Sequence, residues 1–345
     1  LTTNSIITLK NVTKHYGDVT AVENISFDVE PGEILVLLGQ SGCGKTTTLR
    51  LIAGLERPDD GEIWVYNQKV AANNLWIPPE RRKIGMIFQD YALFPHLTVH
   101  DNIAFGLNKV KSKQQQKRVS EMLELINLLD KADAYPHELS GGQQQRIALA
   151  RALAPNPDII LMDEPFSNLD TALRSQVRAD VREILHETQT TALLVTHDQE
   201  EALSLSDEVA VIHKGKLVQV ATPHAIYNRP VNKHVAQFIG EANFIPAQAQ
   251  GMIANSPLGS VKLFHEKSGA VQLMIRPEAV RVNLDDKGAP AVIQWREFFG
   301  HTQRLGLELT DGTELIARTG VDTYFQRGQN VNVSLGLPAL AFDKS

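Results

Sequence analysis

The chain holds a single cysteine, Cys43, among 345 residues, so no internal disulfide is possible, which suits a reducing compartment. Basic excess is also missing. The formal net charge of −6 runs against the positive balance usual for nucleic-acid binders, although it leaves room for a local basic patch. Apolar runs stay short: "ILVLL" from Ile34 falls far below the roughly 18 residues that a membrane-crossing helix requires. No charged-then-apolar leader precedes the first strand pattern. What remains is the composition of an ordinary globular protein, 43% hydrophobic and 21% charged, and the expectation of a cytosolic chain. Its length exceeds one comfortable core and predicts two or more domains.

Two textures divide it. Up to about Gly240, short apolar runs alternate with helical patterns: "EILVLLG" with "KTTTLRLIAGL", "DIILMDEP" with "TALRSQVRADVREILHET", and "TALLVTHD" with "QEEALSLSDEV". Continuous apolar strands separated by helices predict a buried, mostly parallel sheet. A helical insertion is expected over residues 90–155. In it, "KSKQQQKRVSEMLELINLLD" places Val119, Met122, Leu123, Leu125 and Ile126 on one apolar stripe, and Gln114–Gln116 read as a solvated face. From Glu241 to Ser345 the runs shorten and alternate. Leu305, Leu307 and Leu309 precede Asp311-Gly312, a strong hairpin signal, which predicts a small antiparallel β domain.

The chemistry concentrates in the first region. Gly39-Gln40-Ser41-Gly42-Cys43-Gly44-Lys45-Thr46 fits the G-x-x-x-x-G-K-[ST] phosphate loop in full, between a buried strand and a helix. Its glycines let backbone N–H groups converge on a phosphate at a helix N-terminus. Lys45 would neutralise β/γ-phosphate oxygens, and Thr46 would offer its hydroxyl to Mg²⁺. Cys43 occupies an unconstrained position and reads as filler. Asp163 and Glu164 leave the apolar strand Ile159–Met162, and His197 ends another. Loop solvation and a structural histidine are the plain explanations. Convergence at one carboxyl edge of a parallel sheet favours an acid that reaches Mg²⁺ through water and a neighbour that polarises the attacking water. A second glycine motif, "LSGGQQQR" at Leu139–Arg146, also suits a phosphate, with a serine able to cap a helix.

This ordered set resembles the ATP-binding cassette ATPases over roughly Ile7 to Gly240. The resemblance implies an α/β P-loop fold with a helical subdomain, ATP and Mg²⁺ as ligands, and a role for each matching residue. Gly39, Ser41, Gly42, Cys43, Gly44, Lys45, Thr46 and Thr47 form the cradle. Tyr16 in "KHYG" is the adenine-stacking aromatic, and Gln89 in "IFQD" is the Q-loop glutamine, counted with Thr46 and Asp163 around the metal. Asp163 and Glu164 are the Walker B acids, Glu164 being the base. Asp170 belongs to the D-loop "SNLD", where Asn168 replaces the commoner alanine, and His197 is the switch histidine. In this family two copies pack head to tail, so Ser140, Gly141, Gly142 and Gln143 of one chain would cover ATP held by the other.

"QDYALFPHLTVHDNIAFGL" resembles the importer subgroup, in which the helical insertion receives a separate integral membrane permease. Tyr91, Leu93 and Phe94 are expected to form that apolar surface, with simple packing beneath the helices as the alternative. "FIGEANF" and "IRPEAVRV" resemble the junction and the OB-like TOBE-type domain of sugar, polyamine and ferric-type importers. There Arg276 and Glu278 are either regulatory contacts or an internal salt bridge. "NQKVAANNLWIPPERRKIGMIFQD" and "REFFGHTQRLGLEL" resemble the ferric iron group; polyamine, thiamine, sulfate/molybdate and sugar import remain open. The implied assembly is a homodimer on the cytoplasmic face of the inner membrane, fed by an extracytoplasmic solute-binding protein. A soluble cassette ATPase acting on nucleic acid or ribosomes is disfavoured by the acidic balance and the lack of a second cassette. A P-loop kinase would lack the second glycine motif and His197.

Overall fold

The computed structural model describes residues 5–107 and 110–344; the extreme ends of the two expected domains, residues 1–4 and 345, lie outside the described residues. Packing separates two compact units, Leu1–His224 and Ala225–Ser345.

In the first unit β1 (Ile7–Tyr16) and β2 (Val19–Val29) form a hairpin, and β3 (Ile34–Leu38) leads into α1 (Lys45–Ala53). Then β4 (Asp60–Val65), β5 (Gln68–Ala72) and β6 (Leu75–Trp76) return to the hairpin and make an antiparallel sheet of order β2-β1-β4-β5-β6. After β7 (Gly85–Ile87) comes the helical insertion: α2 (Val99–Ala104), α3 (Ser112–Leu125) and α4 (Gly141–Leu153). The chain closes this unit with β8 (Ile159–Asp163), α5 (Thr171–Glu187), β9 (Thr191–Thr196), α6 (Gln199–Leu205), β10 (Glu208–His213) and β11 (Lys216–Ala221).

The second sheet has the order β11-β10-β3-β9-β8-β7, parallel throughout except for β11. Every residue of β3 and of β9 is buried, as their continuous Val, Leu, Ile and Ala runs demand. Each fully buried Val, Leu or Ile contributes roughly 1.5–3 kcal/mol, enough for these strands to dictate the fold. On α3 the stripe is buried at Val119, Met122, Leu123 and Ile126, whereas Leu125 is only half-buried. Gln114 and Gln116 are exposed, and Gln115 donates to the Ala104 carbonyl.

A buried arginine ties α1 to the approach to β7. Arg82 donates from Nη1 to the carbonyls of Leu51 and Ile52 at 2.8 and 2.7 Å, and from Nε to that of Ile77 at 2.7 Å. It thereby adds donors to the carbonyls of the last turn of α1, where that of Leu51 also accepts from the Gly54 amide. Gly54 makes room for it: at φ 82, a Cβ there would lie 2.5 Å from Arg82 Nε. Burial lowers the Arg82 pKa to about 10, which leaves it charged at neutral pH.

The second unit opens with α7 (Pro223–Asn228), which spans the division, and α8 (Lys233–Ile239). The change of packing at His224 and the change of texture at Gly240 thus bracket these helices. Beyond them, β12 (Asn243–Ser256) and β13 (Gly259–Ile275) form a long hairpin, followed by β14 (Val280–Asn283), β15 (Ala289–Phe298), β16 (Gln303–Leu309), β17 (Glu314–Thr319), β18 (Asn330–Leu335) and β19 (Leu340–Asp343). They assemble as β12-β13-β19 and β14-β18-β15-β16-β17, antiparallel in all their pairings, around one apolar core. The β16–β17 turn carries Gly312 at φ 83, and Asp311 Oδ1 accepts from the Thr313 amide. Leu305, Leu307 and Leu309 all face the core. Arg276 makes no ion pair with Glu278. It is buried over the Tyr227 ring and donates to the carbonyls of Tyr227, Ala236, Gly240 and Glu241, while Glu278 accepts from the Tyr227 hydroxyl at 2.6 Å. The internal salt bridge expected of this pair is therefore replaced by a clamp on main-chain carbonyls.

In the first unit, Glu201 of α6 is 2% exposed and accepts from Thr196 Oγ1 at 2.5 Å. Burial raises its pKa above the ordinary glutamate value, against the opposing pull of the Thr196 hydrogen bond. A carboxyl with a raised folded-state pKa adds its stability below the unfolded value and loses it as pH rises through the folded one. Glu201→Gln should therefore gain melting temperature relative to the parent as pH climbs from about 4.5. Paired thermal melts across a pH series check this; a difference that does not vary with pH contradicts it.

Candidate functional site

Strand register places the chemistry. Leu38 pairs with Thr196, Asp163 with Val195, and Ile87 with Met162. Gly39, Glu164, His197 and Gln89 consequently leave the sheet at the same carboxyl edge, the usual ligand edge of open parallel sheets.

At this edge the loop before α1 is shaped by close packing. A Cβ on Gly44, at φ 105, would lie 2.2 Å from the Ala21 carbonyl oxygen. One on Gly39 would lie 2.4 Å from both Cys43 Sγ and the Ile212 carbonyl oxygen. Gly42 has φ 77 and, like Ser41, is exposed. No side chain caps α1 at Gly44, so no side-chain acceptor occupies its N-terminus. Lys45 is buried, and its Nζ donates to the Gly39 and Gln40 carbonyls at 2.8 and 3.0 Å. Thr46 Oγ1 donates to Asp163 Oδ1 at 3.1 Å, and Thr47 is half-buried beside it. Burial raises the Asp163 pKa, and the Thr46 hydrogen bond opposes it. Cys43 is buried as well, and its thiol pKa is raised chiefly by that burial.

The two acids diverge. Asp163 points to Thr46, while Glu164 has its amide on the Val195 carbonyl at 3.0 Å and a carboxylate oxygen 3.2 Å from His197 Nδ1. Glu164 adopts φ 44. A left-handed backbone on a non-glycine residue costs about 1–3 kcal/mol and persists where its surroundings enforce it. Gln89 is exposed just beyond β7, and its carbonyl accepts from Asn168 Nδ2 at 2.9 Å. Asp170 is exposed at the head of α5. Tyr16 stands 45% exposed at the tip of the β1–β2 hairpin, with Lys14 Nζ 5.4 Å from its ring centre.

The second glycine motif heads α4. Ser140 and Gln143 form a capping box: Gln143 Oε1 accepts from the Ser140 amide at 2.9 Å, and Ser140 Oγ accepts from the Gln143 amide. Among the described residues, no hydrogen bond or ion pair joins Ser140–Gln143 to Gly39–Thr46. The glycines serve packing as well. A Cβ on Gly142 would lie 2.9 and 3.0 Å from Val177 and Leu173 of α5, and one on Gly141 would lie 3.1 Å from Leu169.

One expectation for the insertion is corrected. Tyr91 does not line an exposed surface: it is 4% exposed, its hydroxyl pKa raised to about 12 by burial. Left-handed Tyr91 and Ala92, at φ 61 and 46, turn the chain, and Arg151 donates to both carbonyls. The exposed aromatics nearby are Phe88 and Phe105, with the Phe94 ring 4.3 Å from that of Phe105 and tilted 40° to it.

Comparisons with known proteins agree with this fold. The ABC transporter family model matches residues 22–167, and the TOBE domain model matches residues 273–340. The Fe(3+) ions import ATP-binding protein FbpC 2 of Haemophilus influenzae is 43% identical over 283 residues, 80% of this chain and 79% of that protein. The spermidine/putrescine import ATP-binding protein PotA of Ruegeria pomeroyi is 42% identical over 331 residues, covering 92% and 89%. Among solved structures, an ATP-binding cassette dimer in a post-hydrolysis state with ADP and Pi has a TM-score of 0.55 at 33% identity, covering 63% of this chain and 98% of its own. A protein from Clostridium perfringens described as part of the ABC transporter complex cbiONQ has a TM-score of 0.59 at 26% identity, covering 65% and 91%. With its P-loop α/β unit and its OB-like β unit, this chain belongs to the ATP-binding cassette family, as an ATP-hydrolysing subunit of the importer type.

Proposed function

We propose that two copies of this chain bind ATP and Mg²⁺ between them and use hydrolysis to drive a separate membrane permease, with ferric iron as the solute. The observation that carries the hydrolytic reading is the paired arrangement of Thr46 with Asp163 and Glu164 with His197 at one sheet edge. The loop glycines and the open amides of α1 suit the phosphates, and the Lys45 ammonium would exchange its neutral carbonyl partners for charged phosphate oxygens. Tyr16 offers an exposed face for adenine.

The Thr46 hydroxyl, 3.1 Å from the Asp163 carboxylate, belongs to an oxygen-only set that fits a hard divalent cation; Thr46 and the Gln89 side chain would hold it, and Asp163 would reach it through water. When bound, Mg²⁺ neutralises charge on the β- and γ-phosphates. Glu164 takes the proton of the attacking water, and His197, its Nδ1 3.2 Å from the Glu164 carboxylate, orients that carboxylate. Ser140, Gly141, Gly142 and Gln143 act on the nucleotide of the partner copy. The closed pair binds ATP better than the open one, and hydrolysis releases it. Asp170, exposed beside this edge, would meet the partner.

The tilted Phe94–Phe105 pair, with exposed Phe88, supplies an apolar face for the permease on the cytoplasmic side of the inner membrane. No described helix is long and apolar enough to cross a membrane, so the permease would be another chain. An extracytoplasmic protein would deliver the solute. Ferric iron rests on the segment before "PPERR" and on the FbpC relatives; the PotA relatives favour a polyamine as the second reading.

Glu164→Gln should bind ATP, hydrolyse it at least about a hundredfold more slowly, and accumulate as an ATP-bound dimer. Size-exclusion chromatography with turnover assays checks this, and a wild-type rate contradicts the assignment. With its permease reconstituted, ATPase activity should rise with an Fe³⁺-loaded binding protein; stimulation by a spermidine-loaded one alone would move the solute to polyamine.

A further inference from the structure

The turn after Glu164 is held from three directions. Ser167 Oγ donates to the Glu164 carbonyl at 2.9 Å, Asn168 Nδ2 to the Gln89 carbonyl at 2.9 Å, and Arg174 Nη2 to the Leu169 carbonyl at 3.0 Å. The same guanidinium reaches a second loop, donating from Nη1 to Asp198 Oδ2 at 3.3 Å. Asp198 directly follows His197. Its other oxygen caps α6, accepting from the amides of Glu200 and Glu201 at 2.8 and 3.1 Å, and its own amide donates to Thr196 Oγ1 at 3.0 Å. One side chain thus bridges the loop that carries Glu164 and the loop that carries His197.

We infer that Arg174 is a positioning residue for hydrolysis: its guanidinium fork joins the Ser167–Asp170 turn to the His197–Asp198 loop, so that both sides of the hydrolytic pair move together. The inference rests on the proposed roles of Glu164 and His197. An ordinary ion pair, with both partners 26% exposed, would contribute little to stability. What distinguishes this one is its geometry. A planar fork holds two acceptors on two loops in a fixed relation, which a lysine at the same place cannot reproduce. Asn168 extends the brace to the carbonyl of Gln89.

The test compares Arg174→Ala, Arg174→Lys, Asp198→Asn and the double variant Arg174→Ala/Asp198→Asn in the full chain, with kcat, KM for ATP and melting temperature measured on each. Asparagine keeps the oxygen that caps α6 and removes the charge that Arg174 meets. Arg174→Ala and Asp198→Asn should each lower kcat about 10- to 100-fold while KM changes less than about threefold. The double variant should be no slower than the slower single one, because both remove the same brace. Arg174→Lys should recover only part of the rate. Single effects that multiply in the double variant, or kcat and KM that worsen together with a falling melting temperature, overturn the inference. A Glu164→Gln protein at wild-type rate overturns the underlying reading and this one with it. An inactive Glu164→Gln beside fully active Arg174→Ala and Asp198→Asn overturns the brace alone.

Discussion

Parallel pairing among β3, β8 and β9 is the constraint from which the site follows. These strands have almost no freedom to slip, because both faces are buried and the ladder fixes Leu38 beside Thr196 and Asp163 beside Val195. One step beyond that register stand the phosphate loop, Glu164 and His197. The loop itself has little slack: the main chain of Ala21 and Ile212 lies where Cβ atoms on Gly44 and Gly39 would sit. Lys45 and Thr46 then begin a helix whose far end Arg82 secures. Hydrophobic burial thereby becomes positional accuracy for polar groups that are not held by sequence neighbours.

In the stretch Leu139–Arg146, Gly142 lets α4 lie close against α5, since even a methyl group would meet Val177 and Leu173; under the proposed function the same glycines would leave room for a phosphate. The helix that presents Ser140 is thus packed on the helix that begins at the Glu164 turn. Within one chain the two glycine motifs are each internally satisfied: Lys45 on loop carbonyls, Ser140 and Gln143 on each other's amides. A second copy is what gives both a common ligand in this account.

Most of the phosphate loop and its strand–helix context is legible in the sequence because the geometry is local, set by glycines and by a strand that must be buried along its length. The Asp311-Gly312 hairpin is legible for the same reason. Contacts from long side chains to distant carbonyls are not. Arg82 reaches back about thirty residues to α1, and Arg276 reaches about forty to α8, with no periodic signal to mark either. Tyr91 misleads because its direction depends on two successive left-handed residues, Tyr91 and Ala92, at positions where neither is favoured. Asn168 is visible as a departure from the family pattern, yet its partner, the Gln89 carbonyl, emerges only when β7 and β8 lie side by side. Arg174 and Asp198 carry no motif at all. Their meeting depends on how α5 and α6 pack.

The central claim is that each nucleotide is enclosed by the cradle of one copy and the Ser140 helix of the other. Mixing two inactive proteins, Lys45→Ala and Ser140→Arg, tests it most directly. A mixed dimer pairs the intact cradle of one with the intact Ser140 helix of the other, so the account predicts ATPase activity that neither protein has alone and that depends on their ratio. A mixture no more active than its parts, with mixed dimers demonstrably formed, would contradict it.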